Sequence, residues 1–448
     1  MRALTFKQGI YLDENKSLTS GKALQQASRP ELVVIPMVQH IGTPCKPLVK
    51  KGDHVDLGQK IGDIDSFISA PIHASVSGTV KEIRTVLTPE GKLCEAVVIE
   101  SDGEDHLAEG VSPKGDLEEL GREEIIEIIR EAGIVGMGGA MFPTHAKLSI
   151  PEGKKAEYLI LNGSECEPFL TGDYRLMLER SEDIIYGLKA LMKAIGAEKG
   201  IIGIEDNKAD AIETMQKALT GEKDIEIKKL VTKYPQGGER MLIKAILNRE
   251  VPANGLPIDV GVIVNNIATA VAVAEAIKKG MPLIERSITI TGHGVNEPVN
   301  LVFRIGTPIE ELLAQAGGLK ADAAKVIMGG PMTGCAQADL QVAATKGTTG
   351  IVVLTENEVE EFDPQPCIRC ARCVDACPEF LMPLNLANYA EHGMVESLEK
   401  YQVLSCIECG ICSYVCPARR PLLHNIRIGK AEVMAKNASS SRGEINEE

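Results

Sequence analysis

The sequence predicts a multidomain α/β protein, and three observations support this prediction. The chain has 448 residues, about three times the roughly 150 residues of an average domain. Strand-like runs alternate with helix-like patterns through its centre, which is typical of βαβ units on a largely parallel sheet. Near its end, one cysteine motif occurs twice with the same spacing. We therefore expect several units with separate cores.

The first unit, residues 1–110, is predicted to be a small all-β unit. Short β-rich runs are separated by Gly and Pro turns. They lie at residues 32–36, 54–56, 78–83 and 95–100.

The second unit, residues 111–285, is predicted to be a Rossmann-like α/β domain. It opens with a helix over 123–132, whose isoleucines form one apolar face. Strand-like runs at 158–161, 200–205, 225–232 and 261–265 alternate with helical patterns such as 183–194 and 209–219. A third unit, 286–355, mixes short strands with one helix at 309–316.

Composition excludes several classes of protein. Apolar residues make 44% and charged residues 25%, so we expect a folded chain with disorder confined to the polar tail at 435–448. A net charge of -15 and 3% aromatic residues argue against nucleic-acid binding. No apolar run approaches the ~20 residues of a membrane span, and the first residues lack a secretory leader. We expect a cytoplasmic chain without disulfides, whose role at a membrane would be peripheral.

The cysteine repeat in the fourth unit, residues 356–434, is the strongest chemical signal. Its spacing, C-x2-C-x2-C-x3-C-P, is that of ferredoxin-type proteins with two 4Fe-4S clusters. Three cysteines of each motif fit one cluster, and the fourth begins a helix that crosses to the other cluster. One cluster is assigned to Cys367, Cys370, Cys373 and Cys416, and the other to Cys406, Cys409, Cys412 and Cys377. Two zinc sites are the alternative, but zinc motifs use two pairs with a long gap. The other four cysteines are expected to be small buried apolar residues.

A glycine-rich loop at residues 133–139 is a candidate phosphate site. Because glycine has no side chain, its backbone N–H groups stay open to an anion. The loop follows a helix and does not match G-x-G-x-x-G, so it is not a Rossmann fingerprint. A simple tight turn remains the alternative interpretation.

Polar residues follow three predicted strands of the central sheet. They are Asn162, Glu165 and Glu167 after the first strand, Tyr234 to Glu239 after another, and Asn265 with Asn266. Carboxyl ends of parallel strands meet at one edge, where open α/β sheets bind ligands. Acids on such a turn are often merely solvated, but the convergence of three motifs favours a binding site.

These motifs resemble a known family. Residues 136–148 (GMGGAMFPTHAKL), 162–168 (NGSECEP), 234–240 (YPQGGER) and 264–270 (VNNIATA) are similar to the flavin-binding motifs of the FMN- and NADH-binding subunit of respiratory complex I. The β-rich segments 47–62 and 69–80 before them, and the cysteine repeat after them, resemble the C-subunit family of Rnf electron-transport complexes. The resemblance covers nearly the whole chain.

The resemblance implies FMN on the glycine loop. The residues implied around the flavin and its phosphate are Gly136, Gly138, Gly139, Lys147, Asn162, Glu165, Asn265 and Asn266. Glu167, Tyr234 and Phe142 would lie nearer NADH. Met137, Ser164 and Gly238 depart from the complex I pattern, which affects the nicotinamide contacts most.

Two units resemble binding modules without a visible site. Residues 31–100 resemble a lipoyl-type barrel-sandwich, but Phe67 stands at the position of the carrier lysine, so a docking role is expected. Residues 288–318 resemble the soluble-ligand-binding (SLBB) β-grasp module and are expected to act as a spacer.

The family resemblance implies an NADH-oxidising subunit of a membrane-bound complex that couples NAD and ferredoxin redox chemistry to Na⁺ or H⁺ transport. Hydride would pass from NADH to FMN, and electrons would pass singly to the clusters. Other subunits would be direct partners and ferredoxin an indirect one, on the cytoplasmic side of the cell membrane. We expect docking through the barrel-sandwich and a basic stretch (Arg419, Arg420, Arg427 and Lys430).

Two other functions are considered. A soluble flavin and iron-sulfur reductase, such as a cobalamin reductase, shares these motifs but usually carries the barrel-sandwich after the clusters. An electron relay without a working flavin site is disfavoured by the intact glycine loop.

Overall fold

The computed structural model describes residues 2–359 and 363–445. Its first segment does not join the β unit that follows. Leu4 pairs with Leu230 and Ile10 with Tyr234, and strand β1 (Leu24–Gln26) runs parallel to a strand at Val299–Arg304. This segment therefore connects the second and third units along their surfaces.

The β unit consists of two small antiparallel sheets packed face to face. Its strands are β2 (Leu32–Pro36), β3 (Lys46–Pro47), β4 (His54–Val55), β5 (Lys60–Asp63), β6 (Ile72–His73), β7 (Gly78–Leu87) and β8 (Leu93–Ser101). The sheet orders are β2-β8-β7-β4 and β3-β5-β6. Alternate residues of β2, Val33 and Ile35, are fully buried between them. The barrel-sandwich prediction is confirmed.

The central unit is an open parallel sheet covered by helices. Its strands are β9 (Tyr158–Gly163), β10 (Lys199–Glu205), β11 (Ile225–Leu230) and β12 (Val262–Asn266), in the order β11-β10-β9-β12. Its helices are α1 (Arg122–Glu131), α2 (Thr144–Leu148), α3 (Gly172–Glu179), α4 (Ser181–Ile195), α5 (Ala209–Ala218), α6 (Glu239–Leu247) and α7 (Ile267–Lys278). All three strand pairs are parallel, as the sequence predicts.

Both faces of this sheet are buried, because neighbouring residues of β9 enter different cores. Leu159 and Leu161 pack with α4 and α7, whereas Ile160 packs with α6. Helices α4 and α7 approach so closely that a Cβ at Gly187 would lie 1.9 Å from the Ala270 carbonyl oxygen. This contact requires glycine.

The third unit is a mixed sheet with one helix, as expected. It contains β13 (Glu285–Thr291), β14 (Val299–Arg304), α8 (Ile309–Gln315), β15 (Ala323–Met328), β16 (Cys335–Gln337) and β17 (Gly350–Thr355). The sheet order is β1-β14-β13-β17-β15-β16.

The cysteine-rich unit is helical. Its helices are α9 (Arg372–Asp375), α10 (Pro383–Glu391), α11 (Val395–Lys400), α12 (Ile411–Tyr414) and α13 (Leu422–Ile445). The expectation that each fourth cysteine begins a helix is wrong, since Cys377 and Cys416 lie before helices that start at Pro383 and Leu422. Helix α13 continues through the predicted polar tail to Ile445, so the described part of that tail is helical. Residues 446–448 lie outside the described residues.

Candidate functional site

The polar motifs of the central sheet meet at one edge, as predicted. Asn266 at the end of β12 stands opposite Asn162 at the end of β9. The Asn162 side chain donates a hydrogen bond to the Gly237 carbonyl at 2.8 Å. A Cβ built on Gly138 would lie 2.7 Å from Asn266 Nδ2. The glycine loop and all three strand-end motifs therefore line one site.

The glycine loop is held at its ends and open at its centre. At its two ends, the Gly136 N–H donates a hydrogen bond to the Phe142 carbonyl at 2.9 Å. Phe142 itself is partly buried, and Gly138 and Gly139 are exposed. A Cβ at Gly139 would meet no described atom within 4 Å. An anion can therefore approach the backbone at the centre of the loop.

Two buried residues, Thr269 and Arg286, hold this loop in place by hydrogen bonds to the backbone of Met137. Met137, which departs from the complex I pattern, places its side chain in the core with 3% exposed. Its N–H donates to Thr269 Oγ1 at 3.1 Å, and its carbonyl accepts a hydrogen bond from Arg286. Arg286 was not predicted as a site residue, because it lies between the flavin-type motif at 264–270 and the segment 288–318, outside both.

The turn that carries Glu165 is held from two sides. Glu165 has a φ of 46°, a conformation that non-glycine residues adopt rarely and mostly at constrained sites. Its carboxylate accepts hydrogen bonds from the Asp173 and Tyr174 N–H groups at 2.7 and 3.2 Å, at the start of α3. The Lys16 ammonium donates to the carbonyl oxygens of Glu165 and Glu167, each at 2.9 Å.

Lys16 was not predicted, because it lies 149 residues before Glu165 in a stretch without a motif. Burial lowers the pKa of this ammonium group. Its hydrogen bonds to backbone carbonyls make it a positioning residue for the turn.

Lys147 and Glu239 face each other across the opening of the site. Their side chains form an ion pair of 2.7 Å between α2 and α6. The Lys147 side chain is 27% exposed, and its contact with the flavin phosphate stays a prediction.

Unpartnered buried polar atoms show that the site fits a polar ligand. Asn265 Nδ2, Ser164 Oγ and both polar atoms of the Gln236 side chain have no hydrogen-bond partner among the described residues. An unsatisfied buried polar group costs about 1–3 kcal/mol, so these groups favour a ligand with donors and acceptors. An isoalloxazine ring has both, and the open glycine loop suits its phosphate. The residues present therefore fit FMN.

Glu167 and Tyr234 contact neighbouring units. The Glu167 carboxylate accepts hydrogen bonds from Thr333 Oγ1 and from the Met332 N–H, the latter at 3.1 Å, and burial raises its pKa. The Tyr234 hydroxyl donates to the Cys409 carbonyl at 2.8 Å, and 3% of this residue is exposed. The structure thus brings these two residues to unit boundaries, and their contact with NADH stays a prediction.

The eight motif cysteines surround two separate cavities. One is lined by Cys377, Cys406, Cys409 and Cys412, and the other by Cys367, Cys370, Cys373 and Cys416. Each set combines three cysteines of one motif with the fourth of the other. Burial and neighbouring thiols raise the pKa of Cys412 to about 12. A bound metal must therefore displace the thiol protons.

Of the remaining cysteines, Cys45 is buried, as expected, whereas Cys94, Cys166 and Cys335 are only partly buried.

The basic stretch after the clusters is engaged within the chain. Arg427 and Lys430 both pair with Glu408, at 2.8 and 2.7 Å, and Arg420 pairs with Glu391. Arg427 and Lys430 thereby stabilise the Cys406 loop, and docking of a partner subunit on this stretch stays a prediction.

Four family models match the chain in succession. They are described as an RnfC barrel sandwich hybrid domain (residues 4–104), a Nuo51 FMN-binding domain (129–275), an SLBB domain (287–336) and a 4Fe-4S dicluster domain (360–429). These matches confirm the predicted fold class, FMN and the two 4Fe-4S clusters.

Similar proteins cover almost the whole chain. The C-subunit of the Na⁺-translocating ferredoxin:NAD⁺ oxidoreductase complex of Acetobacterium woodii is 46% identical over 96% of this chain and 98% of its own length. The proton-translocating counterpart of Clostridium ljungdahlii is 46% identical over 96% and 94%. The C-subunit of the ion-translocating oxidoreductase complex of Rhodobacter capsulatus is 39% identical over 98% and 85%.

Among residues 2–359 and 363–445, no helix combines the length and the apolar character needed to cross a membrane.

Proposed function

Since the chain belongs to the C-subunit family of ion-translocating oxidoreductase complexes, we propose that it is the peripheral subunit that oxidises NADH and passes the electrons toward the ferredoxin side of the complex. The alternative, a soluble cobalamin reductase, finds no support. A Na⁺-translocating and a proton-translocating relative are both 46% identical to this chain, so the proposal covers either ion.

One observation carries this proposal: the nucleotide site and a cysteine cavity share a wall. Tyr234 follows β11 at the edge of the site and donates to the carbonyl of Cys409, which lines the cavity of the Cys406 motif. Ile10, Cys166 and Ile411 pack around this contact. A flavin and a cluster on the two sides of this wall would be close neighbours.

The residues of the site have distinct roles in the proposal. FMN, when bound, supplies the exchange between two-electron hydride transfer and one-electron transfer. The open N–H groups at Gly138 and Gly139 bind its phosphate, and Lys147 adds a positive charge there. Asn162, Asn265 and Asn266 bind and orient polar atoms of the flavin ring. The turn at Glu165 fixes how deeply these atoms lie in the site.

The cluster of the Cys406 motif would receive electrons first, and that of the Cys367 motif would deliver them. The first cavity adjoins Tyr234, whereas Cys367 and Cys370 are exposed. Exposure suits a site that passes electrons to another subunit. We place this exposed edge toward the membrane partners, on the cytoplasmic side, where NADH is available.

The test is a cofactor and reduction analysis of protein purified without oxygen. We expect about one FMN and about eight irons per chain, and rapid flavin bleaching by NADH followed by cluster reduction in EPR. Cys335→Ala, outside both motifs, is the matched control for cysteine loss and should keep all the iron. Zinc in place of iron, or a flavin that NADH does not reduce, would contradict the proposal.

A further inference from the structure

An acidic pair lies beneath the glycine loop, and one of its members, Asp173, belongs to no motif. Asp173 Oδ2 accepts a hydrogen bond from Asn266 Nδ2 at 2.6 Å, and the same Nδ2 atom is the nearest neighbour of a Cβ placed on Gly138. Asp173 is therefore separated from the floor of the flavin site by one side chain. The Glu165 carboxylate binds the Asp173 N–H, so two carboxylates share this small space.

The positive charges around the pair come from other elements. Arg286 on β13 interacts electrostatically with Asp173, but its hydrogen bonds go to the carbonyls of Met137 and Lys346. Its Nε has no hydrogen-bond partner among the described residues. Lys16 acts on the pair from the first segment of the chain, and its ammonium is bound to backbone carbonyls. Neither cation forms a direct ion pair with Asp173.

We propose that Asp173 is a proton-holding positioning residue, which takes up a proton when the neighbouring flavin is reduced and releases it when the electrons leave. This proposal rests on the proposed function. Hydride transfer from NADH brings two electrons and one proton to the flavin and adds one negative charge to the site. One proton from solvent then binds the Asp173 carboxylate, so the charge of the site is unchanged. When both electrons pass to the two clusters, one to each, the flavin would release to solvent the proton that arrived with the hydride, and Asp173 would release its own proton as well.

The surroundings of Asp173 bring the pKa of its carboxyl group near neutral pH, so it can take up and release a proton there. Burial, and next the Glu165 carboxylate, raise its pKa to about 7. The hydrogen bond from Asn266 and the charges of Arg286 and Lys16 act in the opposite direction. An added negative charge nearby favours the protonated form further. Through Asn266, the protonation state can also change the contact that the amide offers to the flavin.

The experiment is redox-difference infrared spectroscopy of the FMN-loaded protein without oxygen. Flavin reduction should produce a carboxylic acid C=O band that shifts in D₂O, and the band should be absent from Asp173→Asn. Asp210→Asn is the matched control, because Asp210 is an exposed carboxylate that accepts a hydrogen bond from the Tyr174 hydroxyl. It should keep the band.

A second variant covers the case in which Asp173→Asn does not bind FMN. Glu165→Gln removes the neighbouring negative charge, so the band should titrate at a lower pH than in the wild type. If NADH reduces the flavin of the wild-type protein and no carboxylic acid band forms, the role of Asp173 is refuted, while the proposed function stands. A band that persists in Asp173→Asn, or whose titration Glu165→Gln does not move, would overturn that role too. A wild-type protein that binds no FMN would instead refute the proposed function.

Discussion

Replacement of Gly139 by valine tests whether the glycine loop binds the flavin phosphate. A Cβ at this position meets no described atom within 4 Å, and the backbone is not in the left-handed region. The variant should therefore fold normally, with a change in unfolding free energy within about 0.5 kcal/mol. Its branched side chain would project over the open N–H groups.

The expected loss follows from the hydrogen bonds that this side chain blocks. A hydrogen bond to a charged group contributes about 1.5–3 kcal/mol, and each 1.4 kcal/mol is tenfold in affinity. Blocking one phosphate contact should thus raise the Kd of FMN by about 10- to 150-fold. Flavin fluorescence titration of the apoprotein measures this change, and EPR should show both clusters intact.

Two other glycines make the test specific. Gly21 also has open space around an added Cβ, so Gly21→Val should leave FMN binding unchanged. Gly138→Ala differs because its Cβ would lie 2.7 Å from Asn266 Nδ2. It should weaken FMN binding and also disturb the Asn266 contact with Asp173. If Gly139→Val binds FMN within threefold of the wild type, the loop is only a turn.

Four further predictions concern other parts of the molecule. Gly133→Ala should lower the free energy of unfolding by more than about 2 kcal/mol, measured by denaturant titration, because φ is +64° and the Cβ would lie 2.1 Å from the Pro71 carbonyl oxygen. Cys377→Ala should remove the EPR signal of the cluster bound by the Cys406 motif; loss of only the other cluster's signal would refute the crossed assignment. Burial lowers the pKa of Lys346 to about 7, so between pH 7 and 10 the unfolded chain binds a proton that the native chain does not, and stability rises with pH. Thermal unfolding at pH 7 and 9 should show a smaller rise in Lys346→Met. The chain should sediment with membranes only when its partner subunits are present, and binding to protein-free lipid vesicles would contradict that expectation.

Local patterns in the sequence were sufficient to predict most elements. The strand at Leu32–Pro36 and the four strands of the central sheet follow from short apolar runs between turns. Sorting of the cysteines into two mixed sets follows from their fixed spacing, which the cavities reproduce. For the strands, the physical cause lies within a few residues of the element; for the cysteines, it lies in the spacing that the two motifs share.

Charged residues that act at a distance could not be predicted. Lys16 bonds to a turn 149 residues away, and Arg286 bonds to a carbonyl 149 residues before it. Neither belongs to a periodic pattern or a motif. For Tyr234, the motif correctly predicts a position at the edge of the sheet. It does not predict that the Tyr234 hydroxyl donates a hydrogen bond to the carbonyl of Cys409, in a later unit.

The segment that ends in β1 has a consequence for how the chain is made. Its Lys22 side chain bonds to the Pro298 carbonyl, 276 residues later, so at roughly 5–20 residues per second about 14–55 s pass before a ribosome supplies the partner. The Gly9 N–H donates to the carbonyl of Ala376, and this acceptor is synthesised later still. The apolar side chain of Phe6, buried in the finished protein, packs against Lys233 and lacks this contact until that residue is made. The barrel-sandwich, whose pairings are local, can fold during this delay, and closure of the first segment over the later units is then a late step of biogenesis.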